Sequence, residues 1–254
     1  MYPFKATDDC QVDVVHRSYF RYLLGLSKSA PNVAVYGERT EQPQSLKGHR
    51  LLLNFWKIIS KLPDECLVKK ALTENVSIKT NWIKTVEKLL TTYRLVDVLD
   101  KNFKAKSHEN VQKYFINAWK LELGSGDLSR LRVYKQINPG FSTPKHLDLP
   151  FPLRKIISKI RCSNHVLEIE KGRHPTRIVP REERLCLVCH DVAVEDESHF
   201  LLSCQTYWHL RDLYGIRGLS LTELLNTDNQ KYLGLYLLSA FEWRSRLLQG
   251  RVVV

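Results

Sequence analysis

No apolar run in this 254-residue chain approaches the ~18–20 residues that a helix needs to cross a bilayer, so no membrane partner is expected. Residues 1–9 contain no apolar stretch of the kind found in a secretory leader. An intracellular protein is expected, in the nucleus first and the cytoplasm second. Strand signals are weak throughout, and neither an internal repeat nor a low-complexity tract interrupts the chain. Cysteine is sparse, with six residues. Without an export signal these read as thiols or metal ligands rather than disulfides. Acid is in deficit, with 27 Asp and Glu against 39 Lys and Arg, a net charge of +12. That excess points to a polyanionic partner, RNA or DNA before others, with an inert basic surface as the plainer alternative. What remains is ordinary: 43% hydrophobic and 26% charged residues exclude wholesale disorder.

The apolar pattern is mainly helical. Thr7 can cap a first helix that Asp8 and Asp9 open, running through Val14, Val15, Tyr19, Phe20, Tyr22 and Leu23 to Gly25. A second is expected over about 45–60, with Leu51, Leu52, Phe55, Ile58 and Ile59 on one side. A third carries Trp82, Ile83, Val86, Leu89, Leu90 and Tyr93. After Ser107, Val111, Tyr114, Phe115, Ala118 and Trp119 recur at helical spacing, and Gly124 supplies a stop. Residues 139–152 hold Pro139, Gly140, Pro144, Pro150 and Pro152 and read as a linker. The expected organisation is therefore a helical region, 1–138, a linker, 139–152, and a small Cys3His zinc-stabilised helical module, 153–254. In that module Leu153, Ile156, Ile157 and Ile160 form one stripe, Ser220 and Glu223 a capping box, and 228–248 a final helix.

The most specific signal is Cys186-x2-Cys189-x9-His199-x4-Cys204. Two Cys two residues apart can turn both thiolates toward one ion, and a His and a third Cys complete a tetrahedral set. Zinc suits mixed sulfur and nitrogen ligation. Four protein ligands leave no open position for an activated water, so the expected Zn2+ is structural rather than catalytic. His190 and His209 are the nearest substitute ligands. Cys10, Cys66 and Cys162 read as buried apolar thiols. The acidic run Glu195-Asp196-Glu197 is expected to open the helix that carries His199.

Just upstream lies a basic strip: Arg154, Lys155, Lys159, Arg161, Lys171, Arg173, Arg177, Arg181 and Arg184. These nine cations face only Glu168, Glu170, Glu182 and Glu183. Beside a zinc module, this is the expected set of phosphate contacts.

Two further stretches flank the cysteines, Leu167-Glu168-Ile169-Glu170-Lys171-Gly172-Arg173 and Pro180-Arg181-Glu182-Glu183-Arg184-Leu185. With Val194–Cys204, Tyr207 and the upstream phrase Pro31-Asn32-Val33-Ala34-Val35-Tyr36-Gly37-Glu38, they make the chain resemble the region after the polymerase in non-LTR (LINE-type) retrotransposon reverse transcriptases, with its C-terminal zinc-binding domain. Trp56, Asn81-Trp82, Phe115 and Trp119 add weaker matches. After Glu38 the family continues Gly-Arg-x-Pro, where this chain has Arg39-Thr40-Glu41-Gln42-Pro43. The resemblance implies a thumb-like region and a role in gripping RNA or a DNA target.

No palm set of carboxylates is present to hold two metal ions, since Asp8-Asp9 opens a helix before thumb-like sequence. No nuclease set of acids plus Lys follows Cys204. A non-catalytic nucleic-acid-binding fragment is expected. The alternatives are a zinc-stabilised scaffold for a protein partner and an accessory piece completing a retrotransposon polymerase on another chain.

Overall fold

The structure is a computed structural model that describes residues 10–96, 102–124, 129–189 and 191–250. It is mainly α. In chain order the helices are α1 (Gln11–Leu24), α2 (Asn32–Arg39), α3 (Gln44–Ser60), α4 (Leu67–Ser77), α5 (Asn81–Thr92) and α6 (Phe103–Gly124). They continue with α7 (Arg132–Ile137), α8 (Phe151–Arg161), α9 (Glu168–Lys171), α10 (Trp208–Leu213), α11 (Leu221–Leu225) and α12 (Gln230–Leu248). Among the described residues the one trace of sheet pairing is the isolated antiparallel bridge between Leu185 and Val194. The expected cap at Thr7 and the residues Asp8 and Asp9 lie outside the described residues.

The chain divides into two compact units, residues 1–16 with 41–122 and residues 17–40 with 123–254. The segment 139–152 therefore lies inside the second unit and is not a linker between units. Its prolines serve helix ends instead. Pro150 precedes α8 and Pro152 occupies its first turn, where no N–H is needed. Between Pro144 and Pro150 a short 3-10 turn, Lys145–Asp148, buries His146 completely.

In the first unit α3 packs against α4 and α5. Ile59, Leu72 and Ile83 form a buried cluster, covered by Trp56, Leu62 and Trp82. Helix α5 starts at Thr80, whose side chain accepts from the Ile83 N–H, and it buries Ile83, Val86, Leu89 and Leu90 as its periodicity predicts. Helix α6 likewise buries Val111, Phe115, Ala118 and Trp119. Helix α3 departs from its expected face. Leu46, Leu53 and Ile59 are buried, whereas Leu51, Phe55 and Ile58 are exposed. The helix is apolar on more than one side, so the pattern alone does not fix which stripe faces inward.

In the second unit α8 packs against α12. A β-carbon at Gly234 would lie 3.0 Å from Leu153 and 3.4 Å from Ile157, so this glycine permits the close approach. Leu153, Ile157 and Ile160 meet Leu233, Tyr236, Leu237 and Ala240 in the buried set. Helix α2 buries Val33 to Glu38 on every side. Ser220 and Glu223 form the expected capping box at α11.

Glu38 is buried beneath Arg161, whose Nε donates to both carboxylate oxygens at 3.1 Å. Its Nη1 donates to the Leu225 carbonyl at 2.7 Å. His146 completes the group, with Nε2 at 2.9 Å from Ser158 Oγ and 3.3 Å from Glu38 Oε2. Burial, aided by the Arg161 and Arg154 charges, pushes the His146 imidazole well below the usual histidine range.

The unfolded chain therefore takes up this proton first as pH falls below about 6.5, and stability present above that pH is lost downward. The slope for one proton is at most about 1.4 kcal/mol per pH unit. Urea titrations from pH 7.5 to 5 are expected to show a flatter decline for His146→Gln than for the parent chain. Parallel curves would remove His146 as the source.

Candidate metal centre

Cys186, Cys189, His199 and Cys204 come together with one ligand atom from each lying within 4.8 Å of every other. The first two hang on a short hairpin. Cys186 N donates to the Ala193 carbonyl at 2.9 Å and Glu195 N to the Arg184 carbonyl at 2.8 Å, on either side of the Leu185–Val194 bridge. The x9 loop is thus a hairpin that returns the chain to the site.

His199 and Cys204 lie on a single π-type turn, His199–Ser203, closed by Cys204 N to the His199 carbonyl at 2.8 Å. In an α-helix, residues five apart would point about 140° apart around the axis. The wider turn reduces that angle and lets both side chains face one point. Asp196 Oδ1 accepts from His199 N at 3.0 Å, so one member of the acidic run caps the turn as expected. Glu195 and Glu197 do something else: both are buried and paired across the unit.

The donor set fits a metal ion. With metal–sulfur bonds of about 2.3 Å, a tetrahedron spaces its corners by about 3.8 Å, and Cys189 Sγ stands 3.4 Å from His199 Nε2. Hydrogen bonds from Cys204, then from His199, lower the Cys186 pKa, while that same Cys186 sulfur raises Cys204 and burial raises Cys189. A divalent cation removes this mutual opposition, because thiolates bind it without repelling one another as strongly. The four residues could therefore hold a metal ion.

Around them the support is polar and long-range. Glu195, fully buried, accepts from Arg244 Nε and Nη2 at 2.7 Å each and from Glu168 N at 2.8 Å. Its Oε1 lies 3.9 Å from Cys186 Sγ. Arg211 Nη2 donates to the Cys204 carbonyl at 2.7 Å, and Thr206 Oγ1 to the Val188 carbonyl at 3.1 Å. Phe200 meets Tyr207 edge-on and Phe241 at a tilt, with ring centroids 4.8 and 4.7 Å away. Arg244 carries no sequence signal of its role, because its partners lie 49 and 76 positions upstream in the chain.

The other expected ligands and thiols fall apart. His209 packs its ring edge-on to Trp243 at 5.5 Å and is not in the cluster. His190 lies outside the described residues. Cys162 is buried as expected, but Cys10 is exposed and Cys66 half-buried, each standing next to the start of a helix where the chain still meets solvent.

The basic strip divides. Arg161 is withdrawn from it, being 3% exposed and held by Glu38. Its position on the inner face of α8 makes it a core cation, not a phosphate contact. Arg154 donates to the Leu23 and Leu147 carbonyls, and Lys155 passes over Gly25, a left-handed glycine where no β-carbon would fit beneath it. Arg181 pairs with Asp196 at 2.8 Å. Arg184 donates to the Val179 and Ile169 carbonyls at 2.8 Å each and lies against Gly172. Lys159, Lys171, Arg173 and Arg177 instead line one concavity, joined there by Arg130, which the sequence reading missed. In the sequence Arg130 stands with Arg132 and Lys135 about twenty-five residues before the strip, with nothing to mark it apart from them.

Comparison of the chain with protein-family models, curated proteins and solved structures gives no match.

Removing Arg244 leaves Glu195 buried without its cation, and breaking such a pair costs about 3–5 kcal/mol. Arg244→Met is expected to lower the melting temperature and to raise amide exchange across residues 184–197. A variant as stable as the parent would show the pair to be dispensable.

Proposed function

We propose that this chain is a non-catalytic nucleic-acid-binding module, stabilised by one structural Zn2+ and derived from the post-polymerase region of a LINE-type reverse transcriptase. The observation that carries the reading is the cleft of five cations, Arg130, Lys159, Lys171, Arg173 and Arg177, in the unit that also holds the Cys3His group. Phosphate neutralisation by such a set supplies sequence-independent affinity. Zinc suits the three sulfurs and one imidazole, and four protein ligands give it a structural role. The quoted resemblance adds the expectation of RNA or a DNA target as partner, in the nucleus. No activity of the module by itself is expected: neither primer extension nor DNA cleavage.

A protein-binding scaffold is the second reading, and one observation favours it. Leu51, Phe55 and Ile58 stand exposed at i, i+4 and i+7 on α3, the spacing of a helix face that meets a partner.

Elemental analysis is expected to give one zinc per chain, lost in Cys186→Ser. Chelation is expected to loosen residues 184–214 first, since metal binding is coupled to folding there. In a salt series with RNA and DNA, the zinc-loaded chain is expected to bind more weakly as salt rises, and Arg173→Gln with Arg177→Gln to flatten the slope by about two units. Absence of salt-dependent binding by the zinc-loaded chain would move the weight to the scaffold.

A further inference from the structure

The cations of the cleft converge, and that convergence says more than their number. The concavity has a volume of about 590 Å³, within the range of small-ligand sites. One buried carboxylate, Glu170, lines it, and a second, Glu168, anchors two of its cations from outside the lining. Glu168 holds Lys171 Nζ at 3.0 Å and Arg177 Nη1 at 2.8 Å, and Glu170 holds Arg173 and, at 3.0 Å, Arg130 Nε. The carboxylates are 2% and 5% exposed at the side chain, whereas Lys171, Arg173 and Arg177 are 39%, 24% and 54% exposed. The acids thus lie beneath the cations; Arg130 is spent on Glu170 and on the Ser29 and Ser163 carbonyls, while Lys171 and Arg177 keep donors to spare, since an ammonium has three and a guanidinium five.

Lys159 is different. It lines the same cleft with no anionic partner among the described residues, and burial beside Lys155 disfavours its charge. On the neighbouring rim, Ser27 and Ser29 are linked through hydroxyls 2.8 Å apart, and Asn164 Nδ2 donates to both. Thr176 Oγ1 and His174 Nδ1 are 2.7 Å apart. The site is a bowl of donors in which five cations face two carboxylates, and that excess selects an anion.

A strand running past would need cations spaced along a track. The remaining five members of the strip do not continue one: Arg161 is buried, Arg154 and Arg184 are spent on carbonyls, Arg181 is held by Asp196, and Lys155 lies over the Phe151 ring. A phosphodiester carries one negative charge, whereas a phosphomonoester carries about −1.5 to −2 at pH 7 and offers three acceptor oxygens.

We propose that this cleft receives a terminal phosphate monoester of a nucleic-acid strand, so that the module grips a strand end rather than a strand interior. The inference rests on the nucleic-acid reading given above and names the part of the strand that enters the cleft. A free phosphate has the same chemistry, and the experiment separates the two sources.

Binding of the zinc-loaded full chain is measured by fluorescence anisotropy to one short RNA and one short DNA sequence. Each carries a 5′-phosphate, a 3′-phosphate or hydroxyls at both ends, and inorganic phosphate and pyrophosphate serve as competitors. A phosphorylated end is expected to bind about ten-fold more tightly than a hydroxyl end. That preference is expected to vanish in Lys159→Gln and to survive in Lys159→Arg. Lys159 has no anionic partner among the described residues, so its substitution leaves the ion pairs of Glu168 and Glu170 intact. Equal binding of all ends would overturn the strand-end assignment while leaving nucleic-acid binding in place. Complete competition by inorganic phosphate at the affinity of the phosphorylated strand would overturn it in favour of a free-phosphate site. No binding of any strand would overturn both readings.

Discussion

Five carboxylates, Glu168, Glu170, Glu195, Asp196 and Glu197, are each at least nine-tenths buried around the Cys3His group, and each must meet a cation or lose several kcal/mol. The second unit is arranged to satisfy that demand. Arg244 takes Glu195 and lies 3.7 Å from Glu168; Lys171 and Arg177 complete Glu168; Arg130 and Arg173 take Glu170. Arg132 and Arg181 share Asp196, and His165 faces Glu197 at 3.1 Å. These pairs fix the register between the segment 165–173 and the segment that leads from the hairpin into the π turn. Geometry at the four candidate ligands follows from them.

The same demand changes what the net charge of +12 means. Much of the basic strip is internal counter-charge, engaged before any partner arrives. Cations tied to buried acids are poorer in freedom but better in orientation, because their side-chain entropy is already lost on folding. A few well-held donors in one concavity then discriminate shape more than a larger number of mobile lysines on a convex face would.

The Cys3His spacing was legible because metal ligands cluster within nineteen residues and their chemistry is local. Helices α5, α6, α8 and α12 were legible because each carries a clear 3.6-residue apolar period. Helices α2 and α4 went unread for opposite reasons. Residues 33–38 of α2 are buried on every side, the charged Glu38 among them, whereas α4 buries Leu72 alone among its eleven residues. The prolines of 139–152 were read as breakers of structure when they mark helix starts and the 3-10 turn around His146. The acidic run was half understood: a cap at Asp196 is a three-residue matter, but the partner of Glu195 lies 49 positions away. Pairings at that separation leave no local trace in a single sequence.

The position of Arg244 sets how short a working piece of this chain can be. The last candidate ligand is Cys204, and a fragment drawn from the cysteine spacing alone would stop soon after it. Such a piece would leave out α12, and with it the guanidinium over Glu195, the Phe241 ring against Phe200, and the Tyr236 hydroxyl that donates to the Leu201 carbonyl at 3.1 Å. It would also leave out Gly234, where α8 comes closest to α12. The natural unit of expression, grafting or fusion therefore extends about forty residues beyond the candidate ligands, to the end of α12 at Leu248. A tag or fused domain belongs beyond that helix rather than between Cys204 and Arg244.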